Sequence, residues 1–479
     1  MISVLLRAIY RPWLPFFLLV PLLAGGCSSA MQQREQNLSA GTPFLLYMKA
    51  IPAEAGRLRI VAGQVSAIDE DGILWPLTLH LPEITADTVK HQRLFASGRL
   101  PIGIYRGFSL VFKGAWTRTD EGEAALRVGT EPLVVPANFS QREGSAGLLE
   151  MAYQHEGSVN QGFQFNPRLA VYPPERPLQG RTGILSCSKA GYLTIFDRKT
   201  LNVHSAIGTG GKTTAGVVID DRQRRIYLAM HDDDLVEVLD LVTGESEGRI
   251  QLRPGDRPGH MALSPDGRVL LVACTGSNFV LFLDPRSQIE LARIQVGEDP
   301  VFVLPDRHSQ RAYVFSKLDD NITVLDLANQ RLVATVPMDS RPVRGALSRD
   351  GSRLYVLHHG SPYLSVLNTR SRALSDRLQV GLGGSILLID SLSDLLYLGR
   401  KDERRLDVYS SSFSQLPVDF LEGAGEPVDM VIADEENRLL LSLPAKEGLA
   451  AVDLISRQVV GRMEAGAVPQ DLAVSGARY

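Results

Sequence analysis

The chain has 479 residues, of which 44% are hydrophobic and 22% charged, so it can bury large cores and is not a disordered tract. Its 50 basic and 54 acidic side chains leave a formal net charge of -4, which gives no electrostatic footprint for nucleic acid, and none is expected as a partner. Three cysteines, Cys27, Cys187 and Cys274, show no CxxC and no Cys/His ligand spacing. That pattern argues against c-type haem, structural zinc and a disulfide framework, and no metal or cofactor is expected. With 43 Gly and 27 Pro and hardly any long helical pattern, the fold class reads as all-β.

Residues 1–26 read as an export signal. Arg7 and Arg11 form a positive start, Trp13 to Leu23 an apolar stretch, and Ala24, Gly25 and Gly26 supply small residues. Pro12, Pro15 and Pro21 interrupt a spanning helix, and the apolar stretch is shorter than the ~20 residues a span needs. The segment "LLAGGC" resembles the lipobox of bacterial lipoproteins, in which the cysteine is acylated and becomes the new N-terminus. That resemblance assigns lipidation to Cys27, with Ala24 standing where the lipobox carries a large aliphatic residue. Ser28 beside it resembles lipoproteins sorted to the outer membrane of a Gram-negative cell. Residues 27–41 then read as a polar tether.

Residues 42–176 hold strand-like segments such as "FLLYMKAI", "RLRIVAGQVSAID" and "YRGFSLVFKGAW", several of which alternate apolar and polar residues. "DEDG" at Asp69 to Gly72 reads as a hairpin turn. A β-sandwich is the expected architecture. The stretch "FASGRLPIGIYRGFSLVF", followed by a long excursion and a Pro-bounded strand, resembles the DUF4382-type envelope domain. "YPPERPLQG" reads as a Pro-rich joint to the C-terminal part of the chain.

From residue 182 onward one phrase returns. Units beginning at Thr213, Arg257, Pro300, Arg341, Gly384 and Pro427 start 41 to 44 residues apart, the length of a four-stranded propeller blade. In the unit at Arg257 the strands are His260 to Leu263, Val269 to Ala273, Phe279 to Leu283 and Glu290 to Val296. Asp197, Asp240, Asp284, Asp326, Asn368 and Asp453 close the third strand at equivalent places. Ahead of the six full units lies a fragment with only the last three strands, and after them "VPQDLAVSGARY" supplies only the first. The fragments complete one another, which predicts a seven-bladed propeller over residues 182–479, closed by its C-terminal strand. An open solenoid is the alternative, and a split first unit argues against it because an open array wants distinct caps. Strands "IYLAM", "AYVFS", "LYVLH" and "LYLGR", with "PDG" turns and "VLD" ends, resemble the YVTN-type propeller family. That resemblance specifies fold rather than function, since such propellers serve as enzymes, sensors and docking platforms.

Candidate site residues fall in two sets on one predicted face. His260, Phe302, Arg344, Asp429 and Asp471 each follow the start of an innermost strand and should ring one mouth of the central channel. His231, Asp232, Asp233 and Asp234, with His358 and His359, lie in loops between second and third strands. The "HDDD" run offers metal-type donors, but consecutive residues rarely point at one ion, so a solvated acidic loop is the plainer reading. Asp429, Asp471, His260 and Arg344 have the composition of an acid–base set, and equally of a salt-bridge ring that fixes blade order. No GxSxG or HExxH motif occurs, and "GTGGK" at Gly208 to Lys212 lacks Walker spacing. Cys187 and Cys274 read as buried fillers in separate blades. The expectation is therefore a lipid-anchored envelope protein with a protein or polysaccharide partner on this face. The rival is a propeller enzyme of lactonase, lyase or oxidoreductase type, which the family resemblance also allows.

Overall fold

The computed structural model describes residues 41–176, 180–187, 190–210, 213–338, 340–400, 406–410, 415–416 and 426–476. The export signal, Cys27 and most of the tether lie outside the described residues, as do Lys212 and Lys401 to Arg405. Regular structure among the described residues is β-strand, broken by single 3-10 turns.

The second part of the chain forms seven four-stranded antiparallel sheets. Six are consecutive in sequence, beginning at Thr214–Asp220, Pro258–Leu263, Pro300–Pro305, Pro342–Leu347, Gly384–Ile389 and Asp429–Ala433. The seventh takes its inner strand from the C-terminus: Leu472–Val474 pairs antiparallel with Thr182–Cys187, aligning Val474 with Gly183 and Leu472 with Leu185. The predicted seven-bladed ring and its closure are thus present. Middle strands such as Arg225–Met230 and Arg353–His358 are buried throughout most of their length. This is why they read as continuous apolar runs, because neighbouring blades cover both faces.

The repeated Asp has a local cause. At Asp197, Asp240, Asp284, Asp326, Asn368 and Asp453 a side-chain oxygen accepts backbone N–H groups two or three residues on, at 2.6 to 3.1 Å. Four residues after each, the chain turns left-handed, at Leu201, Gly244, Gln288, Gln330, Arg372 and Arg457. The side chain replaces the backbone partner that a tight turn lacks. Both predicted filler thiols, Cys187 and Cys274, are fully buried and form no disulfide among the described residues.

Residues 42–176 form a twelve-stranded all-β domain with one continuous hydrogen-bonded path. Leu74–Leu79 joins its halves, pairing with Leu58–Asp69 on one side and Arg93–Leu100 on the other. Both halves contribute to a single core, from Leu46, Ile60 and Val65 to Phe95, Phe108 and Met151. The strand Thr42–Met48 is buried along its whole length. Phe44, Leu46 and Met48 point into this core, while Leu45 and Tyr47 join a cluster with Tyr192, Phe196, Met463 and Ala465 of the propeller. Two core faces explain why "FLLYM" is apolar without alternation.

Polar groups tie the two domains at that contact. The Tyr47 hydroxyl donates to the Glu464 carbonyl at 2.7 Å. The Glu464 carboxylate holds Arg93 at 2.6 Å and the Leu94 N–H at 2.9 Å. Gln92, itself buried, donates to Glu150 and to the Val203 carbonyl, both at 3.0 Å, and accepts the Val203 N–H at 2.6 Å. Both ends of that amide are engaged, so separating the domains would leave several buried polar groups unmatched.

Candidate functional site

Each innermost strand reaches an equivalent position just inside one mouth of the channel. The occupants in ring order are Gly216, His260, Phe302, Arg344, Ile386, Asp429 and Asp471. In five blades the ladder is irregular at this point, between Thr214 and Gly216, Pro258 and Met261, Pro300 and Phe302, Pro342 and Arg344, and Gly384 and Ile386. Such irregularities re-aim the chain, and in four of these five blades the residue beside them lines the channel, whereas Ile386 packs into a hydrophobic core. Gly216 is constrained as well: a Cβ there would lie 2.6 Å from the Gly259 carbonyl oxygen. All of these except Ile386 line one cavity of about 160 Å³. Two residues deeper, Ala262, Leu304, Ala346, Leu388 and Val431 give it an apolar wall, and Arg307 and Ser391 lie beyond them. The period of two along each strand produces this layering.

The five predicted channel residues interact. The centroid of the Phe302 ring lies 4.2 Å from that of His260 and 5.0 Å from the Arg344 guanidinium. Arg344 Nη1 is 3.4 Å from Asp429 Oδ1, and Asp429 Oδ2 accepts the Leu472 N–H at 2.8 Å. The Asp471 backbone N–H donates to Ser186 Oγ at 3.0 Å, and that hydroxyl faces Asp471 Oδ2 at 3.4 Å. His260 Nδ1 receives the Val303 N–H at 3.4 Å, which puts the ring proton on Nε2.

Electrostatics separates these groups. Burial, reinforced by the Arg344 charge, pushes His260 down to about 3, so its imidazole is neutral. Burial raises Asp429, with Arg344 and the Leu472 N–H opposing. Burial and then the Asp429 charge push Asp471 up to about 7, with Arg344 and Ser186 opposing. One arginine therefore faces two carboxyls that share its compensation, and one carboxyl holds a proton close to neutrality.

This has a stability consequence. An unfolded Asp titrates near ~4. Between about pH 4 and 7 the folded chain holds a proton on Asp471 that the unfolded chain has lost, so this group's contribution falls as pH rises through that window. His260 acts oppositely between about pH 3 and ~6.5, where only the unfolded chain binds its proton. Asp471→Asn removes the first effect and leaves the second. Urea denaturation should show the variant gaining on the wild type steadily from about pH 4 and levelling off above about pH 7. A difference independent of pH would contradict the shifted carboxyl.

The outer loops are organised differently. His358 is not on the exposed face. It ends a middle strand, is 2% exposed, and bonds the Ser340 carbonyl at 2.9 Å and Ser365 Oγ at 2.7 Å. His359 is exposed. Asp234 is a loop staple, accepting the Gly255 and Arg257 N–H groups at 2.7 Å each from a left-handed backbone. His231 Nδ1 lies 3.0 Å from Asp232, whose carboxyl is held low by Thr213 and then by His231. Asp233 is half-buried in the same turn. Among the described residues no group of three or more His, Cys, Asp or Glu is gathered as metal ligands. Sequence reasoning missed Ser186 and Arg307. Ser186 belongs to the split first blade, and its link to Asp471 exists only once the ring closes. Arg307 sits in a turn where another blade has Asp266-Gly267, and its buried Nε has no hydrogen-bond partner among the described residues.

No family model matches the chain. It is 24% identical over 194 residues to the Salmonella typhi protein YncE, a match covering 38% of this chain and 54% of that one. The Salmonella typhimurium YncE gives the same figures. The chain thus spans about half the length of the curated relatives it matches. Among solved structures, a functionally unknown protein from Desulfotomaculum acetoxidans superposes with a TM-score of 0.52 at 15% identity, covering 61% of this chain and 98% of that one. Dihydro-heme d1 dehydrogenase NirN superposes with a TM-score of 0.49 at 16% identity, covering 63% and 78%. At 15% identity the likeness to the Desulfotomaculum acetoxidans protein concerns the fold alone.

Proposed function

We propose that the protein is a lipid-anchored binding protein of the cell envelope, held at the outer membrane through Cys27. In this reading residues 42–176 are a β-sandwich spacer of DUF4382 type, and the YVTN-like propeller is the docking platform. The partner is an envelope protein or polysaccharide that inserts a side chain or sugar substituent at the channel mouth. The observation that supports this most directly is the shared cavity, where His260, Phe302, Arg344, Asp429 and Asp471 from five blades meet above an apolar wall. Concave sites with a few converging polar groups are where ligands bind. The test is a photo-crosslinker at exposed His359, on the same face, used in intact envelopes. The expected result is one dominant adduct that disappears in Arg344→Glu at a temperature where circular dichroism shows the variant still folded, although a third carboxyl beside Asp429 and Asp471 makes it melt lower than wild type. An adduct of unchanged yield in Arg344→Glu would rule out the channel mouth.

One observation favours a second reading. Asp471 titrates near neutrality beside Asp429 and a neutral His260, and a general acid–base residue works best with such a poise. In that reading the protein is a propeller enzyme of lactonase, lyase or oxidoreductase type. Turnover would then fall about 10²- to 10⁴-fold in Asp471→Asn, and the limb near neutral pH would vanish from the rate profile.

A further inference from the structure

Two neighbouring loop tips of the N-terminal domain, one a hairpin turn and the other a connection between strands that do not pair, carry aliphatic side chains into solvent. Between Arg93–Leu100 and Gly103–Thr119 the tip holds Ile102, 61% exposed, and Ile104 just beyond it is 54% exposed. In the hairpin of Leu58–Asp69 and Leu74–Leu79 the turn ends on Ile73, 39% exposed, and Leu74 opens the second strand, 47% exposed. The Glu70 N–H donates to the Ile104 carbonyl at 3.1 Å, which sets the tips side by side. The turn at Asp69 is already fixed by its carboxylate, which accepts the N–H groups of Asp71 and Ile73 and the Trp75 indole. Turn chemistry therefore does not call for aliphatic residues here.

The chain enters the fold at this same end. Thr42 pairs with Leu100, and the Arg99 guanidinium donates to the Gly41 carbonyl at 2.8 Å. Residues 1–40 lie upstream and contain the apolar stretch Trp13 to Leu23 and Cys27. A fully extended chain from Cys27 to Gly41 reaches about 50 Å at most, so an anchor at Cys27 keeps these tips close to whatever it is anchored in.

We propose that Ile73, Leu74, Ile102 and Ile104 rest on the lipid bilayer that holds Cys27, giving the domain a second membrane contact beside the acyl chains. The proposal rests on the anchored reading above. Exposed apolar patches mark interaction surfaces, and a tether makes even a small one effective because binding becomes intramolecular. The rim is mixed, with exposed Arg106 and Arg142 and half-buried Arg99 against exposed Glu70 and Asp71. Lipid charge therefore contributes little, and apolar contact carries the attachment.

The test uses the full chain purified from envelopes in detergent and reconstituted into phosphatidylethanolamine and phosphatidylglycerol vesicles. An environment-sensitive fluorophore is placed on Ile102→Cys, or on Ile455→Cys in the propeller, where Ile455 is 83% exposed. Cys187 and Cys274 are buried and do not compete for label. The label at 102 should shift to the blue and be quenched by brominated lipid several-fold more than the label at 455. Adding Ile104→Asp should return it toward water while the protein still floats with vesicles. A floating protein whose label at 102 stays in water overturns the patch and leaves the anchor standing. A blue shift without vesicles that grows with protein concentration overturns it in favour of a second copy. A protein that does not float removes the anchored reading, and the patch with it.

Discussion

Deleting Pro469 to Tyr479 is expected to abolish cooperative folding of the propeller. That segment supplies Leu472–Val474, the inner strand of the first blade, and all three residues are buried. It also exchanges backbone bonds outside the strand proper: Ser186 N–H to the Asp471 carbonyl at 2.9 Å, Gln470 N–H to the Ser186 carbonyl at 2.9 Å, and Ser475 N–H to the Thr182 carbonyl at 2.8 Å. Fully burying one Leu or Val side chain stabilises by about 1.5–3 kcal/mol, and the unmatched polar groups left along Thr182–Cys187 add to the loss. The sum reaches several kcal/mol, against a total stability of about 5–15 kcal/mol for an ordinary domain. The deletion also opens a blade edge, which invites pairing between chains. Gel filtration and calorimetry should show aggregation and no single sharp transition. Inserting a copy of Pro469 to Ser475 between Arg176 and Arg181 of the deleted chain should restore much of the transition, because what matters is the strand and not the chain end. A deletion variant that melts like the wild type would refute ring closure as the main staple.

The closure is legible in the sequence because it leaves a trace in the repeat spacing: three strand signals before the first full unit, and one after the last. The channel positions are legible for a related reason. They follow the start of each repeat at a fixed offset, and a period of two sends them toward the axis. The "HH" pair is harder, because two adjacent polar residues beyond an apolar strand look like loop. In register, His358 stands opposite Pro342, just as Met230, Cys274, Ser316 and Arg400 stand opposite Thr214, Pro258, Pro300 and Gly384. Each of these strand ends is 4% exposed or less. Aligning the repeats to that depth marks His358 as interior. The domain contact is not legible at all. Gln92 and Glu464 look like ordinary surface residues, and only the three-dimensional meeting of two distant segments gives them partners.

Arg198→Met should cost about 3–5 kcal/mol, the usual penalty for stripping one partner from a buried ionic cluster. Arg198 is fully buried, and its guanidinium joins three parts of the ring at once. It donates to the Ser475 carbonyl at the end of the closing strand at 2.5 Å, and to the Gly180 carbonyl at 2.7 Å. It also reaches Glu435 at 3.1 Å and Glu436 at 3.5 Å in the turn of the preceding blade. Methionine keeps much of the volume and removes every donor. Glu436, whose side chain is 8% exposed, then loses this cation. The double variant Arg198→Met, Glu436→Gln separates the two contributions. It should recover part of the loss, because the stranded carboxylate is gone, but not all of it, because the Ser475 and Gly180 carbonyls remain unmatched. Equilibrium urea unfolding of the four proteins in the cycle measures this. The burden should appear mainly as faster unfolding if the ring closes late, after the other blades have formed. An Arg198→Met protein within about 0.5 kcal/mol of the wild type, the range of an ordinary surface substitution, would mean that strand pairing alone holds the ring shut.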